Sequence, residues 1–215
     1  MTVIPMFPLG SVLLPAMPLP LRIFEPRYLK LLGDLMGSPN PEFGVVLIER
    51  GAEVGGGDER MQLGTIAAVT NIGTNEEFYG LESVGTTRFR VKTWLPDDPY
   101  PLADIELVPD LVWNDHLLAS KHQLETKVRQ LLAFASEFTN LQFGADTVLS
   151  DDPMQACWQL AGILPIGELD QLDLLSAESA EELISRTGEI VATADQTLRS
   201  IMEQQDEWDG PGFEQ

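Results

Sequence analysis

Hydrophobic and polar residues alternate in short runs along the first half of the chain. Runs rich in Val, Ile, Thr and Phe are separated by Gly, Pro and Asn or Asp, which is typical of strands joined by turns. Many short strands with a turn roughly every ten residues predict a barrel or a sandwich rather than a parallel sheet. The predicted strands lie near Val3–Phe7, Val12–Leu14, Leu19–Phe24, Phe43–Glu49, Leu63–Asn71, Phe78–Ser83, Thr86–Leu95 and Ala103–Val108.

The alternation is clearest at residues 88–91. Successive side chains of a strand point to opposite faces of the sheet. We therefore predict that Phe89 and Val91 face the core, and that Arg88 and Arg90 face outward.

One helix interrupts the strands. Pro26 suits the first position of a helix, because its missing N–H would be unpaired there in any case. Four apolar residues then recur at helical spacing: Tyr28, Leu31, Leu32 and Leu35. Gly37 ends the pattern, so the segment PLPLRIFEPRY at 18–28 is predicted to be a strand that leads directly into a helix.

After residue 110 the apolar residues recur with a helical period. They predict helices over about 111–138, over Met154–Leu164, over Glu168–Leu175, and from a cap at Ser176 to about Met202. Residues 203–215 hold five acids and no base, and we expect them to be loose. The expected organisation is a β lobe over 1–110, a helical lobe over 111–202 and an acidic tail over 203–215.

Charge narrows the choice of partners. The 215 residues include 13 Lys and Arg against 34 Asp and Glu, a formal net charge of −21. Such a surface repels phosphate backbones and anionic lipid head groups, so we expect neither nucleic acid nor a membrane as partner. With a single cysteine, no basic leader at the N-terminus and no apolar run near the ~20 residues of a membrane span, a cytoplasmic protein is expected.

No catalytic or metal-binding set stands out in the sequence. His116 and His122 are the two histidines, and six residues apart on a helix they point to different faces. Cys157 lies within an apolar helix and is expected to be a buried, inert thiol. The glycine-rich segment 51–60 lacks the Lys and Ser or Thr of a phosphate-binding loop. We therefore predict no catalytic residues, no metal and no cofactor.

A series of short motifs resembles a known family. Phe7-Pro8-Leu9-Gly10, Val12-Leu13-Leu14-Pro15, Leu19-Pro20-Leu21 and Ile23-Phe24-Glu25-Pro26-Arg27-Tyr28 resemble the opening signature of the Lon N-terminal domain. The resemblance continues at 43–45, 63–67, 85–89 and 164–175, and covers roughly residues 1–200. One departure is Arg22, where the family often carries His.

The resemblance carries expectations about fold and function. It implies an α+β fold, in which a PUA-like β pseudo-barrel with one inserted helix is followed by a C-terminal α-helical bundle. The Lon N-terminal domain is the substrate-recognition part of the ATP-dependent protease Lon, and it also occurs in cereblon and as free-standing bacterial proteins. A free-standing member is expected to recognise unfolded or damaged protein segments, and not to hydrolyse ATP or peptide bonds.

Six residues are candidates for contact with a polypeptide: Pro18, Pro20, Arg22, Phe78, Tyr79 and Trp94. The prolines of that set cannot donate ladder hydrogen bonds, so they predict a sheet edge, which could leave an apolar lip for a peptide. Core packing is the alternative role of the aromatic residues.

The junction between strand and helix holds a second set: Phe24, Glu25, Pro26, Arg27 and Tyr28. Phe24 is expected to anchor the core, and Glu25 to accept from free N–H groups of the helix. An ion pair of Glu25 with Arg27 is expected to fasten the junction, with a direct binding role as the alternative.

Three functions stay open at this point. The first is a non-catalytic module that binds unfolded or extended polypeptide. The second is a quality-control adaptor whose acidic helical lobe docks a protease or chaperone. The third is an enzyme with an unrecognised small-molecule pocket. The sequence predicts neither the client nor the oligomeric state.

Overall fold

Residues 2–50, 59–74 and 79–208 are described by the structure, a computed structural model. The strands are β1 (Thr2–Leu9), β2 (Pro18–Ile23), β3 (Glu42–Arg50), β4 (Glu59–Thr74), β5 (Tyr79–Leu95) and β6 (Leu102–Leu107). The helices are α1 (Pro26–Met36), α2 (Leu118–Ala135), α3 (Pro153–Gly162), α4 (Glu168–Leu175) and α5 (Ala180–Trp208). The glycine-rich segment 51–58, Phe78 and residues 209–215 lie outside the described residues.

Five of the six strands close into a ring. The order is β2-β5-β4-β3-β1-β6, and β6 also pairs with β5. β2 lies outside the ring and pairs with the first part of β5, from Tyr79 to Val84. The ring pairs are antiparallel except β1 with β3, whose connection through β2 and α1 is long enough for a parallel crossover. The predicted mixture of α and β elements is confirmed, whereas the PUA-like class and the helical bundle stay predictions.

The interior of the ring is filled around Phe89. Gly44 and Gly64 face the phenyl ring of Phe89. A Cβ atom at Gly44 would lie 2.9 Å from Phe89 Cζ, and one at Gly64 would lie 2.8 Å from it. At Gly64 it would also lie 2.2 Å from the Val45 carbonyl oxygen, so a side chain is excluded. The buried residues of this inner core are Met6, Val46, Ile66, Phe89, Val91, Ala103 and Ile105. The inward orientation predicted for Phe89 and Val91 is therefore confirmed.

A larger core joins the outside of the strands to the helices. All four residues predicted for the apolar face of α1 are buried: Tyr28, Leu31, Leu32 and Leu35. The Tyr28 ring stacks on Phe7 with centroids 3.9 Å apart. The same core continues through α2, α3 and α4 to Val191 of α5, and α5 contacts each of those three helices. The proposed lobe boundary at 110/111 is thus crossed by one continuous core, and it stays a prediction.

Several helix boundaries differ from those predicted, and the last helix extends to Trp208, beyond the predicted end near Met202. The helix expected over 111–138 starts only at a 3-10 turn over Asp115–Leu117, because the Asn114 side chain accepts from His116 N–H and caps that turn. The last helix is capped by Ser179, whose hydroxyl accepts from Glu182 N–H, and not by Ser176. By contrast, α3 is capped by Asp152 and begins at Pro153, one residue before the predicted start at Met154.

Three expectations for the strands are wrong. Residues 12–14 form a loop and not a strand. The two strands predicted around residue 85 are one long strand, β5, with a register shift between Gly85 and Arg88. Phe24 is 61% exposed and does not anchor the core, because Ile23 takes the inward position and the next residue points outward.

Candidate functional site

The loop that carries the first signature motifs packs against β5. Ala16 N–H donates to the Gly85 carbonyl at 2.8 Å, and Gly85 N–H donates to the Met17 carbonyl at 2.9 Å. A Cβ atom at Gly85 would lie 2.3 Å from the Leu14 carbonyl oxygen. Glycine is therefore required at residue 85 for this close approach, and Ala16 adopts a positive φ of 60° to complete the turn.

The same loop also ties the strands to α3. The Thr65 hydroxyl donates to the Leu13 carbonyl at 2.6 Å inside the core. The Gln159 side chain of α3 donates to the Ala16 carbonyl at 3.3 Å. The signature residues thus hold together the seam between the sheet and the helices.

Arg88 lies at the centre of this seam, and although it faces outward from the ring it is buried. The residue is only 3% exposed. Its Nη1 donates to the carbonyls of Leu175 at 2.8 Å and Ala177 at 2.6 Å, and its Nη2 donates to Pro109 at 3.1 Å. The guanidinium also lies 5.3 Å from the centre of the Trp158 ring. Arg88 does point away from the ring interior, as the alternation predicts, but helices cover that outer face.

Two clefts open on either side of Arg88. One has a volume of about 400 Å³ and lies between the turn at 15–16, β5 and α3. The second has a volume of about 510 Å³ and lies between β4, the segment 106–110 and the turn at 176–178. Arg88 and Asp110 line both clefts. Burial lowers the pKa of the Arg88 guanidinium, and the Asp110 carboxylate opposes that shift.

A third cleft of about 620 Å³ adjoins the second, and the two share Leu63, Arg90 and Ser176. We call the joined pair the α4 groove, because Leu169 and Leu172 of α4 form part of its wall. Its full lining is Glu49, Arg60, Met61, Gln62, Leu63, Arg88, Arg90, Glu106, Leu107, Val108, Pro109, Asp110, Leu169, Leu172, Asp173, Ser176, Ala177 and Glu178.

Apolar side chains in the α4 groove are accessible to solvent. Leu169 is 72% exposed and Leu107 is 53% exposed, while Leu172 and Val108 are half-buried. Leu63 is buried and belongs to the large core. The groove therefore combines buried and half-buried apolar side chains with two exposed leucines.

Comparison with known proteins places the chain in a family. Residues 3–193 match the family model described as the ATP-dependent protease La (LON) substrate-binding domain. The chain belongs to the Lon substrate-binding domain family. A Lon N-terminal domain protein from Xanthomonas campestris is 28% identical, with 89% of this chain and 98% of that chain covered and a TM-score of 0.60.

Two further relatives extend the comparison. The N-terminal domain of a Mycobacterium avium complex Lon protease shares the fold at 13% identity, with a TM-score of 0.64 over 89% of this chain and 98% of that chain. Lon protease 2 of Sorangium cellulosum (strain So ce56) is 33% identical over 118 residues, which are 52% of this chain and 14% of that protease. The chain thus matches a small part of that whole Lon protease.

The structure separates the residues predicted to contact polypeptide in this Lon-family domain. Pro18, Pro20 and Arg22 lie together on the exposed face of β2, and Tyr79, opposite Ile23, is 43% exposed. Trp94 lies towards the opposite end of β5, half-buried beneath Arg60 at 4.7 Å. Phe78 lies outside the described residues.

The outer edge of β2 offers little to an added strand. The Met17 carbonyl accepts from Gly85 of β5, so the backbone groups of Pro18 and Pro20, one and three residues further along, point away from β5. Proline has no N–H, so neither residue can donate to a peptide at this edge. This arrangement is a known protection of sheet edges, and it disfavours strand addition here.

An ion pair stabilises the junction before α1. Arg27 Nε lies 3.1 Å from Glu25 Oε2, both side chains are 18% exposed, and the Arg27 guanidinium stacks on Tyr28 at 4.5 Å. The expected ion pair is therefore present. The Glu25 side chain caps no helical N–H, however, because it is turned towards Arg27.

The structure places the residues with reactive side chains as follows. Cys157 is fully buried, and burial raises its pKa to about 11, so the thiol is protonated at neutral pH. Within residues 2–50, 59–74 and 79–208, no three His, Cys, Asp or Glu side chains come together as a metal site. In the same part of the chain, no helix is both long enough and apolar enough to cross a bilayer.

Sequence reasoning missed Arg88 and the exposed leucines of the α4 groove. Leu107 and Leu169 are far apart in the sequence, and nothing local to either leucine indicates that the two would line one groove. The sequence holds only a weak signal that Leu169 is exposed, namely its position on the side of α4 opposite the buried Leu174 and Leu175.

Proposed function

We propose that this chain is a non-catalytic binding module, and that it recognises extended or unfolded polypeptide segments in the α4 groove. Its membership of a family of protease substrate-binding domains supports a protein ligand. The observation that carries the proposed location is the pair of exposed leucines, Leu107 and Leu169, on the rim of one continuous groove.

The physical basis is burial of apolar surface. Leu107 and Leu169 each expose more than half of their side chain, and a bound apolar segment would cover them. Removing a leucine side chain from water contributes roughly 1.5–3 kcal/mol when burial is complete. Partial burial of two such residues is therefore worth about 1.5–2.5 kcal/mol of binding free energy. Arg88 is held by its hydrogen bonds at the base of the groove. The groove therefore has its shape before a segment binds, which lowers the entropic cost of binding.

The experiment measures the affinity for an unfolded client. A reduced and alkylated protein that carries a fluorescent label serves as client, and its anisotropy is followed as the chain is added. The double variant Leu107→Gln with Leu169→Gln is expected to weaken binding at least about tenfold, the equivalent of ~1.4 kcal/mol.

The control is Leu118→Gln, a leucine on α2 that is 47% exposed and lies outside the groove. It should leave the affinity unchanged. If it weakens binding as much as the double variant does, the α4 groove is not the site. If the unaltered chain binds no unfolded client more tightly than it binds the folded form of the same protein, polypeptide recognition itself is wrong.

We propose a quality-control adaptor as the second candidate function, on the basis of the formal net charge of −21. An acidic surface favours docking to a basic face of a protease or chaperone in the cytoplasm, and screening by salt should weaken that docking. A complex that is insensitive to salt between low and high ionic strength would contradict this role.

A further inference from the structure

Arg90 stands out among the basic side chains. It lies on β5, where both clefts of the α4 groove meet, opposite Leu63 on one side and Glu106 on the other. It is exposed, and it makes no hydrogen bond or ion pair with any of the described residues. Among the basic residues whose side chains the structure describes, only Lys127 shares this property.

An arginine that pairs with none of the described residues is unexpected in so acidic a chain. Acids outnumber bases by 34 to 13, and most described bases have a carboxylate within reach. Two carboxylates of the groove wall are engaged elsewhere: Glu106 lies 3.5 Å from Lys92, and Asp173 lies 3.0 Å from Arg186. None of the described residues therefore supplies a carboxylate that pairs with the Arg90 guanidinium, which leaves it available to a carboxylate of a bound segment.

We infer that the α4 groove selects extended segments in which an internal Asp or Glu is flanked on both sides by apolar residues. The guanidinium fork of Arg90 pairs with that carboxylate, because its geometry suits two parallel hydrogen bonds. Leu107 and Leu169, on either side of Arg90, contact the flanking apolar side chains of the segment. This inference rests on the proposed function and names the substrate class of the same site.

The position of Arg90 favours an internal carboxylate over the carboxylate of a chain end. The groove continues in both directions from Arg90, towards Val108 and Asp110 through one cleft and towards Leu169 through the other. A segment that ended at Arg90 would leave one of the two clefts empty. Acidic side chains of the groove, such as Glu49 and Glu178, disfavour highly acidic segments, so a single carboxylate among apolar residues fits best.

The test uses labelled peptides of about a dozen residues, ~40 Å when extended, with both ends blocked. Three peptides have the same leucine-containing flanks and differ only at the central residue, which is Glu, Gln or Lys. On the unaltered chain we expect the Glu peptide to bind about fivefold more tightly than the Gln peptide, and the Lys peptide to bind most weakly. Added salt should reduce the preference.

Two matched variants assign the preference. Arg90→Gln is expected to abolish the difference between the Glu and Gln peptides while the Gln peptide still binds. Lys127→Gln removes the other base that has no ion pair among the described residues, with the same change of charge. Lys127 lies in the groove between α2 and α5, and its replacement should leave the preference intact. Both residues are exposed on the surface, so neither variant is expected to disturb folding.

Each outcome has a defined meaning. Equal binding of the Glu and Gln peptides, or loss of the preference in Lys127→Gln as well, overturns the role of Arg90 and leaves the proposed function standing. If none of the peptides binds and no unfolded client binds, the proposed function fails together with this inference. A Gln peptide with a free C-terminal carboxylate that binds as tightly as the Glu peptide would show that the groove takes chain ends, against our inference.

Discussion

Replacing Arg88 by methionine tests whether this residue joins the sheet to the helices. Methionine has a similar length and fills much of the same space, so the change mainly removes the charged guanidinium. The expected result is a large loss of stability, even though the substitution puts an apolar side chain into a buried site.

The magnitude follows from the contacts that are lost. Three carbonyl oxygens lose their donor, those of Pro109, Leu175 and Ala177. A hydrogen bond to a charged group contributes about 1.5–3 kcal/mol, and an unpaired buried carbonyl costs about 1–3 kcal/mol. The three bonds share one guanidinium and do not add, and the apolar methionine side chain offsets part of the loss. We therefore expect Arg88→Met to lower the free energy of unfolding by about 3–4 kcal/mol.

Urea unfolding followed by both tryptophan fluorescence and far-UV circular dichroism measures this loss. Trp158 lies 5.3 Å from the Arg88 guanidinium, so one of the four tryptophans reports on the seam, whereas circular dichroism at the helical wavelength reports on the helices. The control is Arg90→Met, two residues along the same strand, which is exposed and should change stability by less than about 0.5 kcal/mol. The stability of Arg88→Lys should lie between those of Arg88→Met and Arg90→Met, because one ammonium group cannot reach three carbonyls in two directions. A stability of Arg88→Met within 0.5 kcal/mol of the control (roughly the scatter of surface substitutions) would refute the reasoning.

Three further predictions concern the packing and the charges. Gly64→Ala should lower the free energy of unfolding by about 3 kcal/mol in urea titrations, since its Cβ would lie 2.2 Å from a backbone carbonyl, while Gly73→Ala, with open space around it, should change little. Thr65→Val should cost about 1–2 kcal/mol in the same assay, because the Leu13 carbonyl would lose its donor; an unchanged urea midpoint would contradict this. Burial raises the pKa of Glu125, but two basic neighbours on α2 outweigh it and hold that pKa below its usual range. In thermal melts, the chain should therefore be more stable than Glu125→Gln above the unfolded-state pKa of about 4.3, and this difference in stability should disappear as the pH falls below that value. A difference in stability that persists at low pH would count against the pairing of Glu125 with its basic neighbours.

Much of the secondary structure could be predicted because its signals are local. The start of α1 at Pro26 and the cap of α3 at Asp152 depend on the backbone geometry of a few adjacent residues. The inward direction of Phe89 follows from the two-residue period of a strand. Where a local signal had a close competitor, as with Ser176 and Ser179 before α5, the prediction chose the wrong residue.

The candidate site could not be predicted in the same way. The α4 groove is formed by β4, β5, the end of β6 and α4, which come together only after the ring has closed and the helices have packed on it. Of the residues first singled out, Pro18 and Pro20 were chosen for the sheet edge that they predict and Trp94 as an aromatic contact, and they lie apart in the structure. Nothing in the sequence near Arg90 indicates that none of the described acids would pair with it, since that depends on where each of those acids lies in the fold.

The sequence by itself determined the division into a strand-rich first half and a helical second half, the inward direction of Phe89 and Val91, and the resemblance to the Lon N-terminal domain. The tertiary structure decided what covers the outer face of the strands, and therefore which of two similar arginines is buried. Arg88 meets the carbonyl of Leu175, 87 residues away along the chain, whereas Arg90 stays open in the groove. Alternation along a strand fixes the side on which a residue lies, and only long-range packing fixes what that side meets.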